Sequence, residues 1–257
     1  MIYGLYLSAS GVISSAHRQD VIANNLANVE TTGFKRALAL VQQRPPESIE
    51  SGRVNDSNRL LDGIGGGLFL SPTALDLSQG SIERSDSPLH VAIFGRGYFA
   101  VNDGNETRLT RNGNFMLDRV GNLILADGRG GQRVLDARQQ PIRLDVTRLG
   151  QTRVAPDGSI IVDGVPAGQI GVFEVDDPAA LLPAGDTTLR RDPTAGAMRP
   201  AREASIQAGF LETANVDPAS ELTRLLDAQR VLEANANMIR FQDQTLAKLV
   251  NEVGKIG

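Results

Sequence analysis

The sequence predicts an α+β protein in which long N- and C-terminal helices, paired as a coiled-coil core domain, flank a central antiparallel all-β domain. Three observations carry this reading. At both ends of the chain, apolar and small residues recur at alternating steps of four and three. No Gly or Pro interrupts the stretch between Pro218 and Gly254. From about residue 80 to 200, short β-prone runs alternate with turns built from Gly, Asn and Asp.

The C-terminal run, Asp217 to Ile256, sets the frame. Its seam reads Leu225, Gln229, Leu232, Ala236, Ile239, Asp243, Leu246, Val250 and Val253. Asp217 suits an N-cap, Pro218 the first helical position, and Glu221 the positive end of the helix dipole. At ~1.5 Å per residue the helix spans roughly 60 Å, longer than a small domain is wide, so its one-sided seam needs a partner helix. Ile2 to Asn28 supplies one, with Leu5, Ala9, Val12, Ala16, Gln19, Ala23 and Leu26 on the same beat.

The other faces of the N-terminal helix are unusual. Arg18 and Asp20 are the only formally charged residues between Ile2 and Val29, and Gly4, Gly11, Ala27 and several Ser and Asn fill the rest. A solvated helix normally carries charge outside. Either one globular fold buries this helix, or other copies of the chain do. Its Gly and Ser content makes it a poor helix alone, which predicts disorder until assembly supplies neighbours. Gly33 is positioned as a left-handed stop. Gln19, Gln229 and Asp243 are the polar seam positions expected to fix register, with solvent the equal alternative for Asp243.

Residues 35–79 read as a linker, punctuated by Pro45-Pro46, Gly52 and the Gly63–Gly67 cluster. That cluster lacks the Lys-Ser/Thr of a phosphate loop, so a connector is expected. The β pattern follows. Leu89–Phe94, Tyr98–Val101, Leu109-Thr110, Phe115–Leu117, Leu123–Ala126, Arg153–Ala155, Ile160–Val162 and Gly171–Val175 are its strands, separated by turns such as Asp118–Asn122, Ala126–Gly131 and Pro156–Ser159. Asp176 to Arg202 is looser and rich in Pro, Ala and Arg.

Composition narrows the function. Aromatic content is 4% with no Trp, which suits a turn-rich β body better than an aromatic-walled ligand pocket. A net charge of −4 argues against general affinity for nucleic acid or anionic membrane. Without cysteine there is no disulfide, thiolate metal site or Cys nucleophile. No apolar run approaches a membrane span, and Met1 to Ala16 lacks the basic start and unbroken apolar core of a secretory signal. His17 and His90 are the two histidines, with no His-x-x-x-His, no nucleophile elbow and no Asp-x-Asp-x-Asp-Gly loop nearby. Asp176-Asp177 before Pro178 reads as a solvated turn. The expectation is no enzyme, no cofactor and no metal.

Several strings carry a resemblance. Asn24, Asn25, Leu26, Ala27, Asn28, Thr32, Gly33, Phe34 and Lys35 match the N-terminal signature of the flagellar rod and hook axial family. Ser78–Ser81, Ser87–Leu89, Val91–Ile93, Gly95–Phe99 and Thr110–Phe115 resemble its β-domain strings, and Asn215-Val216-Asp217 its entry to the last helix. Three departures stand out: His90 replaces the usual Asp, Phe94 a polar residue, and Leu232 an aromatic. The match is weak across the linker and residues 135–205.

The resemblance, closest to the basal-body rod proteins of proximal or distal type, implies four segments. Residues 1–34 form the N-terminal core helix, 35–79 the connector, 80–205 the outer β domain and 206–257 the C-terminal helix. Asn24–Asn28 and Thr32–Phe34 form the assembly motif; Leu5, Val12, Leu26, Leu225, Leu232, Ile239, Leu246 and Val250 form the seam. It implies a structural subunit of the bacterial flagellar basal body, polymerising helically into a hollow, periplasm-spanning drive shaft that transmits torque to the hook. Its partners are then copies of itself, other rod and hook proteins, the outer rings and the flagellar type III export apparatus, with no nucleic acid and no membrane insertion. Export without a cleaved signal peptide agrees with the N-terminal sequence, and the modest length argues against hook protein. Two alternatives are an oligomeric β-domain binding module or adhesin, and another axial component such as a hook-related protein. A hydrolase with an unrecognised site is a third.

Overall fold

The computed structural model describes residues 2–45, 66–104, 106–126, 131–145, 152–185, 187–201 and 203–253. They fall into two compact units.

The first unit comprises Met1–Leu26, Ala37–Ala74 and Asp217–Gly257. Its described residues include two helices, α1 (Ile2–Ala27) and α2 (Pro218–Val253). At 36 residues α2 is about 54 Å long. Its start is capped as the sequence predicts: Asp217 Oδ1 accepts from Ala219 N (3.3 Å), Asp217 O from Glu221 N (3.0 Å), and Pro218 occupies the first turn. Gly4 and Gly11 each cost α1 about 1 kcal/mol of helix propensity, so packing must hold it. The connector contains a ladder, Val41–Gln43 against Leu68–Leu70, with the Arg44 guanidinium 5.4 Å above the Phe69 ring. Gly66 N donates to Arg44 O and Arg44 N to Gly67 O, extending it. Gly63, Ile64 and Gly65 lie outside the described residues, as does most of the Ala126–Gly131 turn.

The second unit comprises Ala27–Arg36 and Leu75–Val216. Its main sheet runs Leu181–Pro183, Thr188–Arg191, Thr107–Thr110, Tyr98–Asn102, Arg133-Val134, Leu123–Leu125, Phe115–Leu117, with Val172–Val175 pairing both Tyr98–Asn102 and Met198–Pro200. All pairings are antiparallel. Tyr98–Asn102 is central, and the period-2 alternation of its side chains explains two cores. Phe99 and Val101 join Val91, Ile93, Phe115, Leu123 and Ile160 on one face, where Phe99 and Phe115 meet edge to face at 5.0 Å. Tyr98 and Ala100 join Leu109, Leu135, Phe173 and Leu189 on the other. A three-stranded sheet, Thr152–Val154, Ser159–Val162 and Val165–Gln169, and two strand pairs complete the unit.

Three expectations need correction. The Asp176–Arg202 stretch is not loose: Leu181–Pro183, Thr188–Arg191 and Met198–Pro200 are strands, two of them ending at a proline on a sheet edge, where a missing N–H is tolerated. Ser205–Ala208 and Phe210–Glu212 are also strands, so the C-terminal helical segment begins at Pro218. Gly33 is left-handed (φ 69°) but does not stop α1, which ends at Ala27 in a turn where Thr31 N donates to Asn28 O.

Asp118, Asp157 and Asp192 each cap a turn of this unit, and hydrogen bonds hold their carboxyls below the ordinary value of 3.8; Asn122, Ser159 and Thr194 are the respective main donors. A carboxyl held down in the folded state adds stability above pH about 4 that is lost as pH falls through its lowered value. Thermal unfolding followed by circular dichroism should therefore show a falling midpoint below pH 4, blunted in Asp118→Asn. An unchanged pH profile in that variant would contradict this origin.

Candidate functional site

Residues 27–36 carry much of the N-terminal motif, and burial of Lys35 explains how they are held. Lys35 Nζ donates to Glu212 Oε1 (2.5 Å) and to Ser78 O (2.7 Å). Glu212, 0% exposed, also accepts from Gly80 N at Oε1 (3.0 Å) and from Arg111 Nη1 at Oε2 (3.3 Å). Its backbone carbonyl accepts from Gly33 N (2.8 Å). Arg111 further donates to Gly95 O (2.7 Å) and lies 5.4 Å over the Tyr98 ring. One carboxylate thus holds two buried cations, and desolvation pushes Lys35 below its ordinary pKa against the opposing pull of Glu212. Desolvation raises the Tyr98 hydroxyl in the same surroundings. Asn215 adds a second tie: its Oδ1 accepts from Arg36 N (2.7 Å), and its Nδ2 donates to Asp76 O (2.8 Å).

Gly33 is required by close approach. A Cβ there would stand 2.3 Å from Asn112 N and 2.6 Å from Arg111 C. Thr32 and Phe34 are half-buried beside it, Asn28 is half-buried in the turn, Asn24 and Ala27 are exposed, and Leu26 is half-buried.

Asn25 has a different role. It is almost fully buried and pairs with Ala37 as a strand would, Oδ1 accepting from Ala37 N (2.8 Å) and Nδ2 donating to Ala37 O (2.9 Å). Nδ2 also donates to Glu221 Oε2 on α2 (3.2 Å), and Arg224 Nη1 reaches Glu221 Oε1 (2.7 Å). Two further points join the helices: Gly4 faces the Gln242 side chain and Gly11 that of Asn235.

On the seam, Leu5, Val12, Leu26, Leu225, Leu232, Ile239 and Leu246 are half-buried, while Val250 is 71% exposed. Gln19 is half-buried; Gln229 and Asp243 are exposed. The polar residues on the covered side of α2 are instead Glu221, Asn235 and Gln242. Large apolar side chains also lie outside: Ile13 (59% exposed) on α1, and Leu222, Leu226, Val231, Met238 and Phe241 (64% exposed) on α2.

The histidines do not converge on a reactive group. His90 Nδ1 shares a hydrogen bond with Ser85 Oγ (2.6 Å), and His17 Nε2 is buried without a partner. Among the described residues no cluster of His, Asp and Glu could hold a metal ion, and no helix is long and apolar enough to cross a membrane.

A family model described as flagella basal body rod protein matches residues 5–35, the flagellar hook protein FlgE/F/G D1 domain matches 92–162, and the flagellar basal body rod FlgEFG protein C-terminal matches 207–252. The flagellar basal-body rod protein FlgF of Caulobacter vibrioides is 32% identical over 98% of this chain and 98% of its own length. The chain belongs to the flagellar basal-body rod protein family. FlgG of Bacillus subtilis is 31% identical over 98% of this chain and 99% of its own length, and FlgG of Caulobacter vibrioides is 32% identical over 94% and 96%. In this rod-family chain the N-terminal match ends at Lys35, and the C-terminal match takes in Glu212, Asn215 and α2. The two matched ends therefore contain the groups that hold each other.

Glu212 was not legible as a site in the sequence. Nothing local marks one Glu in a polar string as fully buried; only Lys35 within the motif, with no acidic partner nearby in sequence, hints at a distant carboxylate.

Proposed function

We propose that this structural component of the flagellar basal body polymerises helically through its terminal helices into a hollow shaft that transmits motor torque to the hook. The observation that carries the reading is the double use of α2. One side is covered at half-buried and buried positions, while the opposite side presents Leu222, Leu226, Val231, Met238 and Phe241 to solvent. A lone helix in a monomer gains nothing from exposing five large apolar side chains, and further copies of the chain could cover them. The sparse charge on α1 and exposed Tyr3, Tyr6 and Ile13 support the same reading.

The two helices pair as an antiparallel coiled coil within each subunit, supported by the Gly4–Gln242, Gly11–Asn235 and Asn25–Glu221 contacts. Leu225, Leu232, Ile239 and Leu246 with Leu5, Val12 and Leu26 supply its apolar contacts, and exposed Val250 faces a neighbouring copy. Rigidity arises from many such contacts between subunits, with no catalytic step, cofactor or metal. Other rod proteins and hook proteins continue the shaft. Export through the flagellar type III apparatus as an unfolded chain fits the poor intrinsic helicity of α1. Near full-length similarity to rod proteins favours the rod over hook-related or adhesin readings.

Sedimentation of the purified full chain tests this directly. Full-length protein should form open-ended, concentration-dependent assemblies. Removing residues 2–26 should abolish them while leaving a soluble second unit with its β-type circular dichroism, because residues 27–36 and Lys35 are retained. A discrete dimer or trimer, or assembly undiminished by the truncation, would overturn the reading.

A further inference from the structure

Three contacts between α1 and α2, one hydrogen bond and two amide heads packed on glycines, follow one heptad line. From Gly4 to Gly11 is seven residues and from Gly11 to Asn25 fourteen; from Gln242 back to Asn235 and from Asn235 back to Glu221 the steps are the same. Ala228, at the intervening heptad position of α2, is buried. A Cβ at Gly11 would stand 2.8 Å from Cγ, Oδ1 and Nδ2 of Asn235, and one at Gly4 would stand 2.9 Å from Nε2 of Gln242. With glycine at both positions these amide heads sit against the α1 backbone; a Cβ at either one would push the amide head aside. Asn235 is held in its bent shape by its own helix, Nδ2 donating to Val231 O (2.9 Å). At the end of the line Glu221, buried, receives Asn25.

We infer that Asn25 and Glu221, with Asn235 and Gln242 seated in glycine notches at Gly11 and Gly4, form an axial register lock between the two helices. The seam itself cannot choose the register, since leucines recur every seven residues and a one-heptad slide of about 10 Å restores apolar contact. The polar groups can choose. A slide one way sets Asn25 against Ala228 and carries Glu221 beyond the end of α1. A slide the other way sets Asn235 against Gly4 and Glu221 against Arg18, and leaves Asn25 with no residue of α2 opposite it. Either slide breaks the buried Asn25–Glu221 hydrogen bond, the one such bond in this set that depends on register, since Asn25 keeps Ala37 and Glu221 keeps Arg224 in any alignment. In a shaft, register within each subunit sets where the outer face of α2 meets the next copy, so the lock fixes the repeat.

The inference rests on the helix pairing proposed above, and disulfide trapping separates the two. The chain has no cysteine. In the Gly11→Cys, Asn235→Cys variant, a sulfur in place of Cγ lies 2.8 Å from the position-11 Cβ, close to the ~3 Å that a disulfide of ~2.0 Å S–S length demands. Two controls sample slipped registers: Gly11→Cys with Ala228→Cys, and Gly11→Cys with Gln242→Cys. Full-length pelleted protein is oxidised mildly, and intrachain links are read by non-reducing gel mobility. The 11/235 pair should link at least tenfold faster than either control, and Asn25→Leu with Glu221→Leu should erase that preference. No intrachain link in any pair overturns the helix pairing itself. Equal linking in all three pairs with the lock intact overturns the lock alone. A preference that survives loss of Asn25 and Glu221 overturns the assignment of register to them.

Discussion

Replacing Glu212 with alanine is expected to destabilise the second unit by about 3–5 kcal/mol, because it strands two buried cations. Lys35 and Arg111 both reach this carboxylate, and Gly80 N donates to it. For a unit of about 150 residues, at roughly 2–4 °C per kcal/mol, the midpoint should fall by about 6–20 °C. Glu212→Gln keeps an acceptor for Gly80 N but not the charge, so its loss should be smaller and still clear. Adding Lys35→Met to Glu212→Gln should recover part of that loss, since one unpaired charge leaves the interior. Melts by circular dichroism read all four proteins. If Glu212→Ala stays within about 1 kcal/mol of the parent, the clamp does not hold the second unit.

Gly33→Ala should cost about 2–5 kcal/mol, combining ~1–2 for a left-handed non-glycine residue with ~1–3 for overpacking. The added Cβ meets the backbone of Arg111 and Asn112, which cannot swing aside as a side chain could. Gly33→Asn separates the two contributions. Asn tolerates the left-handed conformation, so any recovery relative to Ala measures strain, and the loss left over measures the clash. Urea denaturation of the three proteins supplies the numbers. Recovery to the parent stability in Gly33→Asn would mean that close approach is not what selects glycine there.

The extent to which sequence foretold structure differs from element to element. The bounds of α2 were legible because Asp217-Pro218 is a local signal and no breaker follows for 35 residues. The central strands were legible because turn chemistry brackets them. Helix phase was harder. Leu225, Leu232, Ile239 and Leu246 lie on the covered side, yet Gln229, Asp243 and Val250 are exposed and Glu221, Asn235 and Gln242 are covered. A helix that is apolar on two sides gives two overlapping seams, and hydrophobicity cannot say which one meets α1. On α1 the covered line includes Gly4, Ser8, Gly11 and Ser15, whose smallness permits contact without announcing it.

The motif itself was legible as a string but not as a mechanism. Its residues separate in the fold: Asn25 serves the helical unit, while Gly33 and Lys35 serve the β unit. Their partners, Glu221 and Glu212, are 196 and 177 residues away, and no local periodicity encodes contacts at such range. The strands between Leu181 and Pro200 were missed for a related reason, being short, proline-ended and dependent on pairing to distant segments.

Electron cryo-imaging of the assembled shaft tests the central claim most directly. The account predicts that α1 and α2 of every subunit lie together at the inner wall, with the exposed face of α2 covered by a neighbouring copy. Density placing the two helices apart, or leaving Leu222, Leu226 and Phe241 in solvent within the finished shaft, would contradict it.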